Sequence, residues 1–348
     1  MIDIDGAQHS ASGTIVRYSA ALAALSHAKL RLTSIRAKRE KPGLRPQHLK
    51  ALQALGELTH GSLEGAHVGS QEILFQPGKT IRGGQYHWDI GTAGSTTMLA
   101  FTLLPVAAFA SEPSVIQLAG GLFQDFAPSA YHMKHLLLPT LHKMGLHANI
   151  EILRPGYPPK GEGLIQLKVG NARRLQPLVL AEGWSYVKIK GIALSSHLED
   201  KEVSERMAEA CKKALRARGY NADIQIVRDN TASQEGAALA IFAETDHNTI
   251  LGADMAGRLG RRSEEIGRKV ARLLIEDLET GSSVDRYLAD QLILFAALAC
   301  GRSRFKIPRV TEHVETNLWL VETILGAKVQ LRDLWVDVQG VNYERVQS

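Results

Sequence analysis

An α+β fold is predicted for this chain by two observations. A helix that ends at a glycine and runs into an alternating strand occurs in 137–153 (LLPTLHKMGLHANIEIL), 210–227 (ACKKALRARGYNADIQIV) and 320–334 (LVETILGAKVQLRDL), and more loosely in 49–66. The glycine supplies the left-handed residue that closes a helix, and the apolar–polar alternation behind it describes a half-buried strand. Because the recurrences are irregular, they describe a few copies of a helix-to-strand unit and not a solenoid. The second observation is bulk: 348 residues, 45% hydrophobic and 22% charged, suit an ordinary globular chain of about two domains with a full core.

Residues 2–36 read strand, loop, helix, strand: IDID, a small-residue loop Gly6–Gly13, a helix Thr14–Leu25 and an alternating strand Leu30–Arg36. Arg17 falls in the first turn of that helix, positioned to meet whatever the loop holds. The stretch Thr33–Leu49 (TSIRAKREKPGLRPQHL) crowds Arg36, Lys38, Arg39, Lys41, Arg45 and, if protonated, His48 into a segment broken by Pro42-Gly43 and Pro46. That is too basic for a core and too punctuated for one helix. Pro46 followed by Leu49, Leu52, Leu55 and Leu58 predicts an amphipathic helix with proline in its first turn. The cations therefore sit on a strand-to-helix loop. Guanidinium groups just before a helix N-terminus, with its unpaired N–H groups, make an anion site; a solvated basic loop is the other reading of the same run.

Further along, Gly91-Thr92-Ala93-Gly94-Ser95 follows a strand and precedes a helix, a context in which glycines free backbone N–H groups to meet phosphate, although plain turn chemistry gives the same pattern. Residues 114–128 (SVIQLAGGLFQDFAP) give a strand and an Ala119-Gly120-Gly121 turn. His132, His135 and His142 lie along an apolar helix with no carboxylate close by, so no zinc site is expected there. In 181–282, Gly183–Ser195, Ala222–Val227 and Ala237–Ala243 read as strands, with helices Glu199–Ala217 and Arg262–Leu278. Val284–Leu294 (VDRYLADQLIL) puts Tyr287, Asp290 and Gln291 on one helical face. In Arg309–Val321 (RVTEHVETNLWLV), His313 lies on the approach to a helix capped by Thr316 and stopped at Gly326; on its own such a histidine is more often structural.

The balance of 41 basic to 36 acidic residues, +5, permits a nucleotide or nucleic-acid partner without demanding one. Cys211 and Cys300 form no metal spacing and read as buried thiols of a reducing compartment. MIDIDGAQHS lacks the features of a signal peptide and no apolar run reaches membrane-span length, so a cytoplasmic protein with no membrane partner is expected.

Several of these words together resemble the RNA 3'-terminal phosphate cyclase family: IRAKREKPGL with Gln47-His48, the frame Asp5-Gly6 to Arg17, HGSLEGAHVGSQEILFQPG at 60–78, Gly91–Ser95, Gly120-Gly121 with Ala127-Pro128, YLADQL at 287–292 and HVETN at 313–317. The resemblance implies a large domain of three βαβαββ-type repeats, similar to the C-terminal domain of a translation initiation factor, formed by 1–180 and 283–348, with a smaller α+β domain inserted at 181–282. It implies an ATP-dependent enzyme that converts an RNA 3'-phosphate end to a 2',3'-cyclic phosphate, with His313 as covalent nucleophile. Arg17, Arg36, Arg39, Gln47, His48, Tyr287, Asp290 and Gln291 would then bind nucleotide and phosphates, with Mg²⁺ or Mn²⁺ as the divalent metal. The chain departs from the family pattern at His9, Ala11 and Ser12, where glycines are usual, at Ser10 for a metal-holding glutamate, at Phe101 for a glutamine and at Tyr131 for an acidic residue. His9 and Asp5 are the candidate substitutes for the lost metal ligand. Two rival readings stand beside the cyclase: a non-catalytic RNA-binding or ribosome-assembly relative, and a nucleotidyl-transferring enzyme with a changed acceptor. An oligomer is compatible with all three.

Overall fold

A computed structural model describes residues 1–345. The first third of the chain runs β1 (Ile2–Asp5), α1 (Gly13–Ser26), β2 (Leu30–Thr33), α2 (Pro46–Thr59), β3 (Ser62–Glu64) and β4 (Ile73–Gln76). These strands form a sheet of order β1-β2-β4-β3, parallel between β1 and β2 and antiparallel beyond. The next stretch has β5 (Gly84–Asp89), α3 (Thr96–Ala108), β6 (Ser114–Gly120), α4 (Ala130–His132), a π-helical turn Met133–Leu137, α5 (Leu138–His142), β7 (Ala148–Arg154) and β8 (Gly163–Val169). Its sheet, β5-β6-β8-β7, repeats the same succession of one parallel and two antiparallel pairings.

A third four-stranded sheet follows, built from β9 (Val187–Ser196), β10 (Ala222–Arg228), β11 (Gly236–Thr245) and β12 (Ile250–Ala256) in the order β10-β9-β11-β12, with helices α6 (Val203–Arg216) and α7 (Ser263–Glu279). The chain ends with α8 (Leu288–Leu298), β13 (Arg302–Lys306), α9 (Glu312–Leu325), β14 (Lys328–Arg332) and β15 (Trp335–Gln339), whose strands pair β13-β15-β14. Mixed sheets with helices packed on them agree with the α+β expectation.

One continuous core joins α1, α2, α3, α8 and α9 to the sheets of 2–76, 84–169 and 302–339, and it reaches one face of the β9–β12 sheet through Leu194, Ala238, Ala240 and Phe242. A second core fills the other face of that sheet, where Ile189, Leu239 and Ile241 meet Met207, Cys211 and Leu215 of α6 and Val270 and Leu274 of α7. The two helices come very close: a Cβ on Gly267 would lie 2.4 Å from the Met207 carbonyl, so only glycine admits that approach. The glycines that end the repeated helix-to-strand words, Gly145, Gly219 and Gly326, all have left-handed backbones (φ +82, +80 and +73). In the looser 49–66 copy the left-handed residue closing α2 is His60.

Several boundaries differ from the sequence expectation. The strand read as Leu30–Arg36 stops at Thr33, because Ser34 and Arg36 turn into the left-handed region (φ +48 and +53). The helix read as Glu199–Ala217 is interrupted at Glu202 (φ +46), leaving a short 3-10 turn before α6. The strand read from Gly183 begins at Val187, and β12 has no counterpart in the sequence reading. Cys211 is a buried free thiol as expected, whereas the Cys300 thiol is free but only half-buried. Among the described residues, no helix is long and apolar enough to cross a membrane.

Candidate active site

His313 and the residues of the basic loop, more than 260 positions apart in sequence, face one cleft of about 920 Å³. Arg17, Arg36, Arg39, Gln47, His48, Tyr287, Asp290, Gln291 and His313 all line it. The N-terminus of α1 delivers Arg17, the β2–α2 loop and first turn of α2 deliver Arg36, Arg39, Gln47 and His48, and the N-termini of α8 and α9 deliver the remainder. Helix N-termini converging on one cavity give it partial positive charge before any side chain is counted.

The helix carrying His313 is capped by Thr311, whose hydroxyl accepts from Val314 N at 3.2 Å, and not by Thr316. His313 therefore lies within the first turn. Thr316 is internal to the helix; its hydroxyl bonds the Glu312 carbonyl and accepts from Ser10 N at 3.3 Å, tying the Gly6–Gly13 loop to α9. The His313 Nδ1 lies 3.3 Å from Thr14 Oγ1, and among the described residues its Nε2 has no protein partner. Burial, reinforced by Arg17 and Arg39, lowers the His313 pKa, so the ring is neutral at neutral pH.

Arg17 donates from Nη2 to Thr14 Oγ1 at 3.4 Å, and burial lowers its pKa to about 10 against the pull of Tyr18 and Asp290. It stays charged at neutral pH. Arg39 donates to the carbonyls of Ala11 (3.4 Å) and Ser10 (3.2 Å), and Arg36 to those of Lys41 (2.8 Å) and Gly43 (2.9 Å). These two arginines therefore organise the loops while leaving guanidinium edges on the cleft.

His48 is not one of the cations. Its Nδ1 accepts from Arg45 N at 3.2 Å, and burial together with Arg17, Arg36 and Arg45 lowers its pKa well below the usual value. The neutral ring must carry its proton on Nε2, which packs against Gly13 so closely that a Cβ there would lie 2.1 Å away.

Gln47 accepts from Ser95 N at 3.0 Å and so anchors the Gly91–Ser95 turn. That turn does not line the cleft, and Asp89 takes Gly91 N and Thr92 takes Gly94 N. Plain turn chemistry is what the structure shows there.

Tyr287 sits at the N-cap of α8, its ring edge-on to His132 at 5.6 Å, and burial pushes its pKa up to about 12. Asp290 is pushed up to about 7 by burial, with Arg17 opposing the shift. Its backbone carbonyl accepts from Tyr18 (2.8 Å) and Asn317 (3.0 Å). The imidazole of His313 is thus held by Thr14, while Asp290 faces Arg17. Gln291 and Asn317 are buried beside the cleft with their side-chain oxygens unpartnered, leaving acceptors for an incoming donor. Phe101 is an apolar wall, packed on Tyr18 at 5.7 Å and Phe295 at 6.0 Å. Thr14 and Asn317 carry these contacts without having been given a role from the sequence; Asn317 closes the HVETN word, and Thr14 lies one helical turn before Arg17.

The histidine row of 130–142 needs one correction. His132 does have a carboxylate, Asp285, 153 positions away in sequence and 3.2 Å away in space. Asp285 also accepts from the backbone N–H groups of Tyr287 (2.7 Å), Leu288 (3.0 Å) and Gly252 (3.2 Å). Among the described residues no three His, Cys, Asp or Glu side chains gather as a metal site. The proposed loop ligands are engaged elsewhere: Ser10 Oγ bonds Ser12 Oγ at 3.0 Å, Asp5 takes Ala7 N at 3.0 Å, and the His9 ring lies on Trp319 at 4.6 Å. That donor set does not fit a divalent cation held by the protein alone. The loop keeps left-handed backbone at His9 and Ala11 (φ +44 and +43), two of the positions where side chains replace glycines, whereas Ser12 is extended.

The sequence profile described as RNA 3'-terminal phosphate cyclase matches residues 8–331. A protein named RNA 3'-terminal phosphate cyclase from Pyrobaculum aerophilum is 35% identical over 348 residues, covering 99% of each chain. One of the same name from Methanothermobacter thermautotrophicus is 37% identical over 332 residues, covering 95% of this chain and 96% of its own. Another, from Thermococcus onnurineus, is 38% identical over 328 residues and covers 94% of each. With that coverage, and with Arg17, Arg39, Tyr287 and His313 from four of the resembling words on a single cleft, this chain belongs to the RNA 3'-terminal phosphate cyclase family.

Proposed function

We propose that the chain converts an RNA 3'-terminal phosphate to a 2',3'-cyclic phosphate at the expense of ATP, through a covalent AMP adduct on His313. The observation that carries this reading is a neutral imidazole at a helix N-terminus, held at Nδ1 by Thr14 and surrounded by arginines. With Nδ1–H donating to Thr14, Nε2 presents its lone pair to the cleft. Nε2 attacks the α-phosphorus of ATP; a P–N bond forms and the P–O bond to pyrophosphate breaks. A terminal 3'-phosphate oxygen of the RNA then attacks the same phosphorus and breaks the P–N bond, leaving the RNA phosphate joined to AMP. The neighbouring 2'-hydroxyl attacks the activated 3'-phosphate, loses its proton and expels AMP.

Crowding several phosphates costs Coulomb energy, which Arg17, Arg36 and Arg39 offset; Arg17 and Arg36 are half-buried, where fixed charge acts more strongly than on the exposed Arg39. His48 adds a neutral Nε2–H donor, and Gln47 acts by fixing the turn at Ser95. Tyr287 supplies a ring for adenine. Asp290 with Gln291 supplies acceptors for ribose or amine donors. Mg²⁺ or Mn²⁺ would arrive with the triphosphate as its counter-ion, since Ser10, Asp5 and His9 are engaged within the protein.

The same reading treats 1–180 with 283–348 as the catalytic domain and 181–282 as an insertion. The matching strand orders of 2–76 and 84–169, and the α-β-α-β-β succession of 288–339, support three copies of one βαβαββ-type unit.

The test is an RNA oligonucleotide with a 3'-phosphate incubated with ATP and Mg²⁺. The expected product is an end resistant to phosphomonoesterase, with AMP and pyrophosphate released in equal amounts. Binding of the RNA with no change of its end favours the non-catalytic relative; AMP transfer to another acceptor favours the third reading.

A further inference from the structure

At about 920 Å³ the cleft is near the top of the range for small-ligand sites, and its lining extends beyond the residues assigned to the nucleotide to Phe126 and Arg258. Phe126 is fully exposed (106%) and has a left-handed backbone, φ +67. Three residues earlier, Phe123 packs on Tyr131 and Tyr157, so the fold provides aromatic packing to this loop without using Phe126. An exposed ring on a left-handed backbone is unfavourable in both hydration and backbone strain.

The loop is nevertheless held firmly. Asp125 receives both arms of Arg261, at 2.9 and 2.8 Å, and Arg261 also donates to the Ala256 carbonyl at 2.7 Å. Two residues beyond the ring, the Pro128 carbonyl accepts from Thr97 at 2.7 Å, and Ser129 N donates to Asp254 at 2.7 Å. Phe126 is therefore a fixed aromatic face on the cleft, and not a loose tip. Arg258 lies beside it, 3.7 Å from Asp125 and 69% exposed. Lys269 and Arg309 also line the cleft, and among the described residues neither has a carboxylate within 4.0 Å.

A rigid aromatic face flanked by cations is how proteins bind single-stranded nucleic acid: the ring stacks on a base and the cations meet the backbone. We propose that Phe126 is the stacking platform for the base of the RNA's 3'-terminal nucleotide, with Arg258 meeting the adjoining phosphate. This rests on the reading of the cleft as a site that modifies an RNA end, and on the adenine being received at Tyr287.

The experiment uses a short 3'-phosphorylated RNA whose terminal base is 2-aminopurine, which loses fluorescence on stacking, titrated with the full chain in the absence of ATP. Wild type is expected to quench the probe. Phe126→Ala should lose the quench and bind about 5- to 150-fold more weakly, the range base–aromatic stacking supplies, while Phe126→Trp keeps both. An RNA abasic at its 3' end should bind wild type as weakly as Phe126→Ala binds the intact RNA. A second arm titrates 2-aminopurine riboside triphosphate, whose quench should survive in Phe126→Ala. The proposal is overturned if wild type does not quench the RNA probe, if Phe126→Ala quenches it as wild type does, or if the loss appears with the triphosphate instead. Because no ATP is present, a chain that never forms the His313 adduct still gives this result, so the two readings fail separately.

Discussion

Thr14 Oγ1 and His313 Nδ1 lie 3.3 Å apart, joining the first turns of α1 and α9 across 299 residues of sequence. The contact fixes one ring nitrogen and leaves the other to the cleft. Thr14→Val keeps the shape and removes the hydrogen bond. One such bond is worth about 0.5–1.5 kcal/mol, so AMP transfer to the protein should slow by about 2- to 10-fold, with Thr14→Ser close to wild type. Single-turnover labelling with α-labelled ATP reads this, and equal rates for wild type and Thr14→Val would remove Thr14 from the role.

Arg39 connects the rewritten loop to the cleft through the Ser10 and Ala11 carbonyls. Arg39→Ala should cost about 2–4 kcal/mol of transition-state stabilisation, and Arg39→Lys should restore it only in part because the planar fork is lost. Normal transfer by Arg39→Ala would make the basic stretch a solvated surface.

Gly13 opens α1, where alanine is favoured by helix propensity alone by about 1 kcal/mol. Its neighbour overrules this, since a Cβ would lie 2.1 Å from His48 Nε2. Gly13→Ala should therefore destabilise by about 1–3 kcal/mol, the usual range for overpacking, and weaken ATP binding as His48 is displaced. Denaturant melts check the sign; a stabilised variant would mean that His48 moves aside freely.

Asp290 gives a pH signature. Its folded-state pKa, about 7, is raised above the ordinary 3.8 mainly by burial, so the folded state holds a proton that the unfolded chain releases. Stability from this group is present below about pH 4 and is lost as pH rises towards 7. Asp290→Asn should remove that loss and raise stability at pH 8 by about 1–3 kcal/mol. Urea titrations at pH 5 and pH 8 measure the difference; an Asn variant with the wild-type pH slope would contradict it.

Much of this site was legible in the sequence because its parts are local words. Arg17, the basic loop and the Tyr287-Asp290-Gln291 face each lie at a helix N-terminus that periodicity places closely, whereas the cap of the His313 helix is Thr311, five residues before the Thr316 read from the sequence. Relations between words were not legible. Asp285 finds His132 from 153 positions away, and Thr14 finds His313 from 299, neither of which leaves a local pattern. The sequence leaves the charge of His48 open, because its protonation is set by burial and by three arginines, of which only Arg45 is a near neighbour in sequence. The Gly91–Ser95 word fits a phosphate loop or a plain turn equally; in the fold Gly91, Gly94 and Ser95 donate their N–H groups to Asp89, Thr92 and Gln47, and the turn lies outside the cleft lining. The break at Glu202 and the strand β12 were missed because each depends on packing between α6, α7 and the β9–β12 sheet.

The central claim is that His313 carries AMP during the reaction. Incubation of the full chain with α-labelled ATP and Mg²⁺, followed by denaturation and acid or alkali treatment, tests it most directly. The label is expected to stay on the protein, to be released by acid but not alkali as a phosphoramidate is, and to vanish in His313→Ala. Label of the same stability on the alanine variant, or none on a wild-type chain that still cyclises RNA ends, would contradict the assignment.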